Sequence, residues 1–136
     1  MTYEMRAKAW SKQGANVRAI ADYNQLLRLT PDDSLAYYNR GTCWLDEGNH
    51  GKAIADFTEA IRLNPEYARA YNNRGTSYFA LQEYEMAIED FTSALRYEPE
   101  SALTYENRGS AWEALGEEEK AAADFAKAAE LKETER

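Results

Sequence analysis

Apolar residues recur along the chain with helical spacing. Tyr37, Gly41, Trp44 and Leu45 fall at i, i+4, i+7 and i+8, and Ala53, Ile54, Phe57, Ala60 and Ile61 repeat that stripe. Between the two stripes lies Asp46-Glu47-Gly48-Asn49-His50-Gly51, a stretch rich in turn formers. Asn64-Pro65 ends the second stripe, because proline cannot donate the next backbone hydrogen bond and biases its predecessor away from helix. The same order of helix, turn, helix and break returns four times. It predicts an all-α chain with helix pairs at 2–13 and 16–29, 34–47 and 51–63, 68–81 and 84–97, and 102–115 and 118–131.

The beat of this pattern is 34 residues, and the 136-residue length is four times that. Pro31, Pro65 and Pro99 are spaced by 34, as are Gly41, Gly75 and Gly109. Three aromatic columns keep the period: Tyr3, Tyr37, Tyr71, Tyr105; Trp10, Trp44, Tyr78, Trp112; and Tyr23, Phe57, Phe91, Phe125. Residues 34–67 and 68–101 share 15 identities, more than composition explains. Small residues such as Gly41 and Ala53 let two helices approach, and the large aromatics fill the space beside them. One pair cannot bury its own apolar stripe, so stability must come from stacking on neighbours.

These residues resemble the tetratricopeptide repeat, whose pattern in the second unit is carried by Tyr37, Gly41, Trp44, Gly48, Ala53, Phe57, Ala60 and Pro65. The resemblance covers the whole chain in four consecutive copies, about 1–33, 34–67, 68–101 and 102–135, read as one domain over 1–136. It departs locally: Ala7 replaces glycine and Leu26 alanine in copy one, Gln82 replaces glycine in copy three, and Glu133 stands at the fourth proline position. The resemblance implies a right-handed superhelical α-solenoid with the first helices lining a concave face. It also implies a module for protein–protein interaction rather than an enzyme.

Two charged columns are invariant: Arg6, Arg40, Arg74, Arg108 and Asp22, Asp56, Asp90, Asp124. Their one-to-one recurrence favours an ion pair between packed helices over a basic stripe for an acidic ligand, and such a pair fixes register more than it adds stability. A third column, Asn39, Asn73 and Asn107, lies on the first helices on a different face from Tyr37, Gly41 and Trp44. Asparagine donates and accepts at once, so this ladder is expected to hold the backbone of an extended peptide. Tyr38, Thr42, Arg69, Asn72, Thr76, Phe79 and Glu106 share that peptide-binding face, and of these Tyr38, Asn72, Thr76, Phe79 and Glu106 would select side chains. The competing reading is that these asparagines only cap or hydrate the helix surface.

Relatives that clamp the C-terminal carboxylates of heat-shock chaperones use basic and asparagine residues across three copies. The corresponding places here hold Glu4, Lys8, Asn39, Arg69 and Asn73, where Glu4 would repel a carboxylate and Asn73 lacks the wanted charge. Copies two to four offer Tyr38, Thr42, Asn73, Leu103 and Asn107, a poorer match. A chaperone-tail clamp is therefore disfavoured. Asp46, Glu106 and Glu113 make the later part of the groove neutral to negative, which suits a neutral or basic segment.

Composition narrows the classes. With 16 Lys and Arg against 24 Asp and Glu, the net charge is −8, which repels nucleic-acid backbones and anionic membranes. No apolar run approaches the roughly 18 residues of a membrane span. No basic-then-apolar start marks a secretory signal either, so a cytoplasmic location is expected. The single cysteine, Cys43, has no partner for an internal disulfide and reads as a packed thiol. The one histidine, His50, falls in a turn; no metal-ligand spacing, phosphate loop or nucleophile–base pattern appears, and no cofactor is expected.

The last copy differs from the others. Ile20, Ile54 and Ile88 give way to Ala122, and Leu27, Ile61 and Leu95 to Ala129. Such losses suit an end cap that meets water, followed by a frayed, charged tail from Lys132 to Arg136. The alternative is that Ala122, Phe125, Ala126 and Ala129 meet a second copy, making a homo-oligomeric scaffold that stacks through its terminal helices.

Overall fold

A computed structural model describes residues 15–134, and every regular element among them is an α-helix. We number these α1 (Asn16–Leu29), α2 (Ser34–Asp46), α3 (His50–Leu63), α4 (Ala68–Ala80), α5 (Tyr84–Tyr97), α6 (Ala102–Ala114) and α7 (Glu118–Thr134). The predicted helix 2–13 and residues Glu4, Arg6, Ala7 and Lys8 lie outside the described residues. The chain divides into two compact units between Glu66 and Tyr67.

In the first unit α2 packs on both α1 and α3; in the second, α4 packs on α5, α5 on α6, and α6 on α7. Side chains start several of these helices. Asp33, Asn49 and Ser101 occupy N-cap positions and accept from the backbone N–H three residues on, at Ala36, Lys52 and Thr104. The turn that closes each pair repeats one geometry. Asn49 N–H donates to Trp44 O, Glu83 N–H to Tyr78 O and Glu117 N–H to Trp112 O, each at 2.9 Å. That closure puts one residue in the left-handed region: Gly48 at φ 77°, Gly116 at 80° and Gln82 at 63°. Gln82 carries a Cβ where the other two copies have none, and so bears strain they avoid.

The seam inside each pair is set by a glycine against a phenylalanine. A Cβ added at Gly41 would stand 2.8 Å from Phe57 Cε1, at Gly75 2.7 Å from Phe91 Cε1, and at Gly109 2.9 Å from Phe125 Cε1. Only glycine admits this approach. Phe57 and Phe91 are fully buried, with Ala53, Ala60, Ala87 and Ala94 around them. Between the pairs, Ala19, Ile20, Tyr23 and Leu27 of α1 meet Ala36 and Cys43 of α2. In the second unit Ala87, Ile88 and Phe91 of α5 meet Ala111 of α6. Cys43 is wholly enclosed, in keeping with a packed thiol. Trp44 is only half-buried, with the Lys52 ammonium 4.5 Å above its ring.

The C-terminal helix corrects one expectation. Instead of fraying at Lys132, α7 continues to Thr134, whose hydroxyl donates to Leu131 O at 2.8 Å. Glu133 occupies the place where Pro65 and Pro99 end α3 and α5, so nothing stops the backbone ladder there. Ala122 and Ala129 are exposed, whereas Ile88 and Leu95 at the same positions of α5 are buried.

Candidate functional site

The invariant charged columns belong to the seam. Arg40 Nε and Nη2 donate to Asp56 at 2.8 and 2.7 Å, Arg74 to Asp90 at 2.9 and 2.8 Å, and Arg108 to Asp124 at 2.8 and 2.8 Å. The aspartate side chains are 7% exposed and the arginines 19–21%. Each guanidinium also lies over the tyrosine three residues before it, 5.5–5.8 Å from the ring centre of Tyr37, Tyr71 or Tyr105. Hydrogen bonding to the aspartate raises each arginine above its ordinary value, while burial works against it. Burial pushes the Asp90 carboxyl up, a push the Arg74 hydrogen bonds and charge oppose. These arginines are tied into helix packing, and the ion-pair reading holds for the three copies described.

With the arginines assigned to the seam, the outward face of the first helices is the candidate site. In the first unit α2 presents Tyr38, Asn39 and Thr42, all half-buried. The Tyr38 ring tilts against Phe57 at 5.9 Å, and Thr42 Oγ1 donates to Tyr38 O at 3.0 Å. Asn39 Nδ2 is enclosed and has no hydrogen-bond partner among the described residues.

In the second unit α4 and α6 lie side by side with α5 behind them. Asn72 links the two: its Oδ1 accepts from Asn107 Nδ2 and from Thr104 Oγ1, both at 3.2 Å, and its Nδ2 donates to Asn73 Oδ1 at 3.4 Å. Two members of the predicted ladder, Asn73 and Asn107, are thus brought together through a residue assigned to side-chain selection. Thr104, which sequence reasoning did not single out, is 4% exposed and completes this polar knot. Beside it a recess of about 130 Å³ opens, lined by Thr76 and Phe79 of α4, Asn107 and Ser110 of α6, and Phe91 of α5. Thr76 Oγ1 donates to Asn72 O at 3.1 Å, and the Phe79 ring meets Tyr84 edge-on at 5.2 Å.

The remaining predicted residues stand apart from the recess lining. Arg69 is exposed in the first turn of α4, and Glu106 on α6 is joined by the Lys132 ammonium from the end of α7. Ser110 and Phe91 are lining residues the predicted set omitted. Ser110 follows Thr76 by 34 residues and was findable by register; Phe91 belongs to a column that signals only core.

Family models describe the chain in the same terms as this geometry. Models of the tetratricopeptide repeat match residues 34–67, 68–101 and 102–135. The chain belongs to the tetratricopeptide repeat family. Among solved structures it is similar to one titled "Crystal structure of MamA", with 28% identity, a TM-score of 0.94, and coverage of 98% of this chain and 78% of that one. A second MamA structure, from Desulfovibrio magneticus, shares the fold at 24% identity, with a TM-score of 0.91 over 97% of this chain and 75% of the other. The first tetratricopeptide repeat domain of human RPAP3 aligns at 27% identity and a TM-score of 0.81, over 86% of this chain and 92% of that one. No curated protein matches the chain. Among the described residues no helix is long and apolar enough to cross a membrane, and no three His, Cys, Asp or Glu side chains are grouped to hold a metal ion.

Proposed function

We propose that the four repeats act as one non-enzymatic domain that binds a peptide segment of a partner protein on the outward faces of its first helices. Asn39 on α2, and Asn73 and Asn107 on α4 and α6, bond to the segment's backbone. Tyr38, Asn72, Thr76, Phe79 and Glu106 discriminate among its side chains, and Thr42 and Arg69 complete the face. The observation that carries this reading is the recess between α4 and α6, a side-chain-sized hollow bordered by amides and hydroxyls. The family supports it in general terms, since tetratricopeptide repeat domains bind proteins.

Selection of random-sequence peptides on the intact chain tests it. Selected peptides should lose at least about tenfold affinity, a loss of roughly 1.4 kcal/mol, when all three asparagines are replaced by alanine. The triple variant should stay folded and lose only about 1 kcal/mol of stability for the Asn107–Asn72 bond. Unchanged affinity would reject the ladder, and failure to select any peptide would reject the module.

A further inference from the structure

The recess has a definite chemistry. Phe79 and the buried ring of Phe91 supply the apolar part of its lining, and no charged side chain lines it. Of the donors in its lining, Thr76 Oγ1 is engaged by Asn72 O and one of the two Asn107 Nδ2 protons by Asn72 Oδ1. A charged guest would therefore leave water and meet no opposite charge in the lining. At about 130 Å³ the space is too small for a cofactor, for which sites run to roughly 300 Å³ and above. It is close to the roughly 150 Å³ that admits one benzene ring in an apolar cavity.

The surroundings are acidic. Residues 67–136 hold 8 Lys and Arg against 15 Asp and Glu, so −7 of the chain's −8 falls there. On α6, Glu106 and Glu113 stand one turn before and one turn after Ser110, the recess wall. Glu106 is joined by Lys132, but Glu113 is exposed and has no ion pair among the described residues. Glu83 and Glu117 are exposed in the turns just beyond α4 and α6. Helix ends sharpen this. The second helices α1, α3, α5 and α7 each place a basic residue in the last turn (Arg28, Arg62, Arg96 and Lys132), whereas α4 and α6 place none. The negative ends of the α4 and α6 dipoles thus carry no basic side chain of their own, while the Lys120 ammonium of α7 stands 4.4 Å from the Trp112 ring in the last turn of α6.

From these observations we infer that the recess seats one apolar side chain, of leucine to phenylalanine size, from a partner segment that carries Lys or Arg beside it. The basic residue lies toward Glu113 and the C-terminal ends of α4 and α6. This inference rests on the peptide-binding reading and specifies the ligand.

The peptides selected on the intact chain, measured by fluorescence anisotropy, decide it. The pool should be enriched in a large apolar residue within two positions of Lys or Arg. Ser110→Phe, which fills the recess, should weaken such peptides about 10- to 100-fold. Glu113→Lys should weaken them about threefold at low salt and leave them unaffected at high salt. A pool that binds the chain but is acidic, or lacks the apolar anchor, overturns the inference and leaves peptide binding standing. Full affinity in a folded Ser110→Phe variant also overturns it. If thermal melts show that variant unfolded, Glu113→Lys against peptides with Lys exchanged for Glu decides instead: a preference unchanged by the swap rejects the charge assignment. An empty pool rejects this inference and the peptide-binding reading together.

Discussion

The seam inside each helix pair and the outward face of the first helix follow the same 34-residue period, but they use it differently. On the seam Gly41, Gly75 and Gly109 meet Phe57, Phe91 and Phe125, and each arginine meets its aspartate in the same two-bonded geometry. On the outward face Tyr38 becomes Asn72 and then Glu106, and Leu45 becomes Phe79 and then Glu113. Packing tolerates few solutions at a given backbone separation, so the seam repeats itself. A face that meets solvent or a partner has no such constraint, so it is free to differ from copy to copy.

The largest expected effect that tests this contrast is on the seam. Phe57→Ala should cost about 3–5 kcal/mol in urea denaturation, since the ring is fully enclosed and Gly41 cannot move in to fill the space. Trp44→Ala should cost less, because that ring is only half-buried. Equal losses would contradict the packing described here.

Next comes the charged pair. Arg74→Ala should cost about 3 kcal/mol by leaving Asp90 enclosed without its partner. Asp90→Ala should cost a similar amount, but the double variant should recover about 1–3 kcal/mol relative to the sum. Strict additivity would show that the two side chains are not coupled.

The smallest effect concerns the turns. Gln82→Gly should stabilise the protein by about 1 kcal/mol, raising the thermal midpoint, because glycine accepts the φ of 63° without a Cβ penalty. Gly116→Gln should do the reverse by a similar amount. Opposite signs at the two sites separate backbone strain from side-chain contact, since a Cβ at Gly116 would meet open space.

Much of the fold was legible in the chain because each signal was local and repeated. Apolar spacing locates the described helices to within one residue except at the end of α7, where Glu133 in place of proline lets three more residues join the helix. The Arg and Asp columns were legible as partners because opposite charges recur one-to-one on the two helices of each copy. The candidate site was legible as a face, not as an arrangement. Asn72 reads as an ordinary polar position, and nothing in its neighbours tells that its side-chain Oδ1 accepts from both Thr104 and Asn107 on the next first helix.

The linear order of residues sets the period, the glycine–aromatic seam, the sign of the charge and all but one of the described helix boundaries to within a residue, since these depend on residues near in sequence or repeated at one interval. Only packing in three dimensions brings Asn107 to Asn72 and Lys132 to Glu106, and lines one hollow with Phe79, Phe91 and Ser110. Those facts depend on the spacing of α4 and α6 across the intervening α5, and of α6 and α7. Such spacings follow from packed side-chain volumes and leave no pattern along the chain.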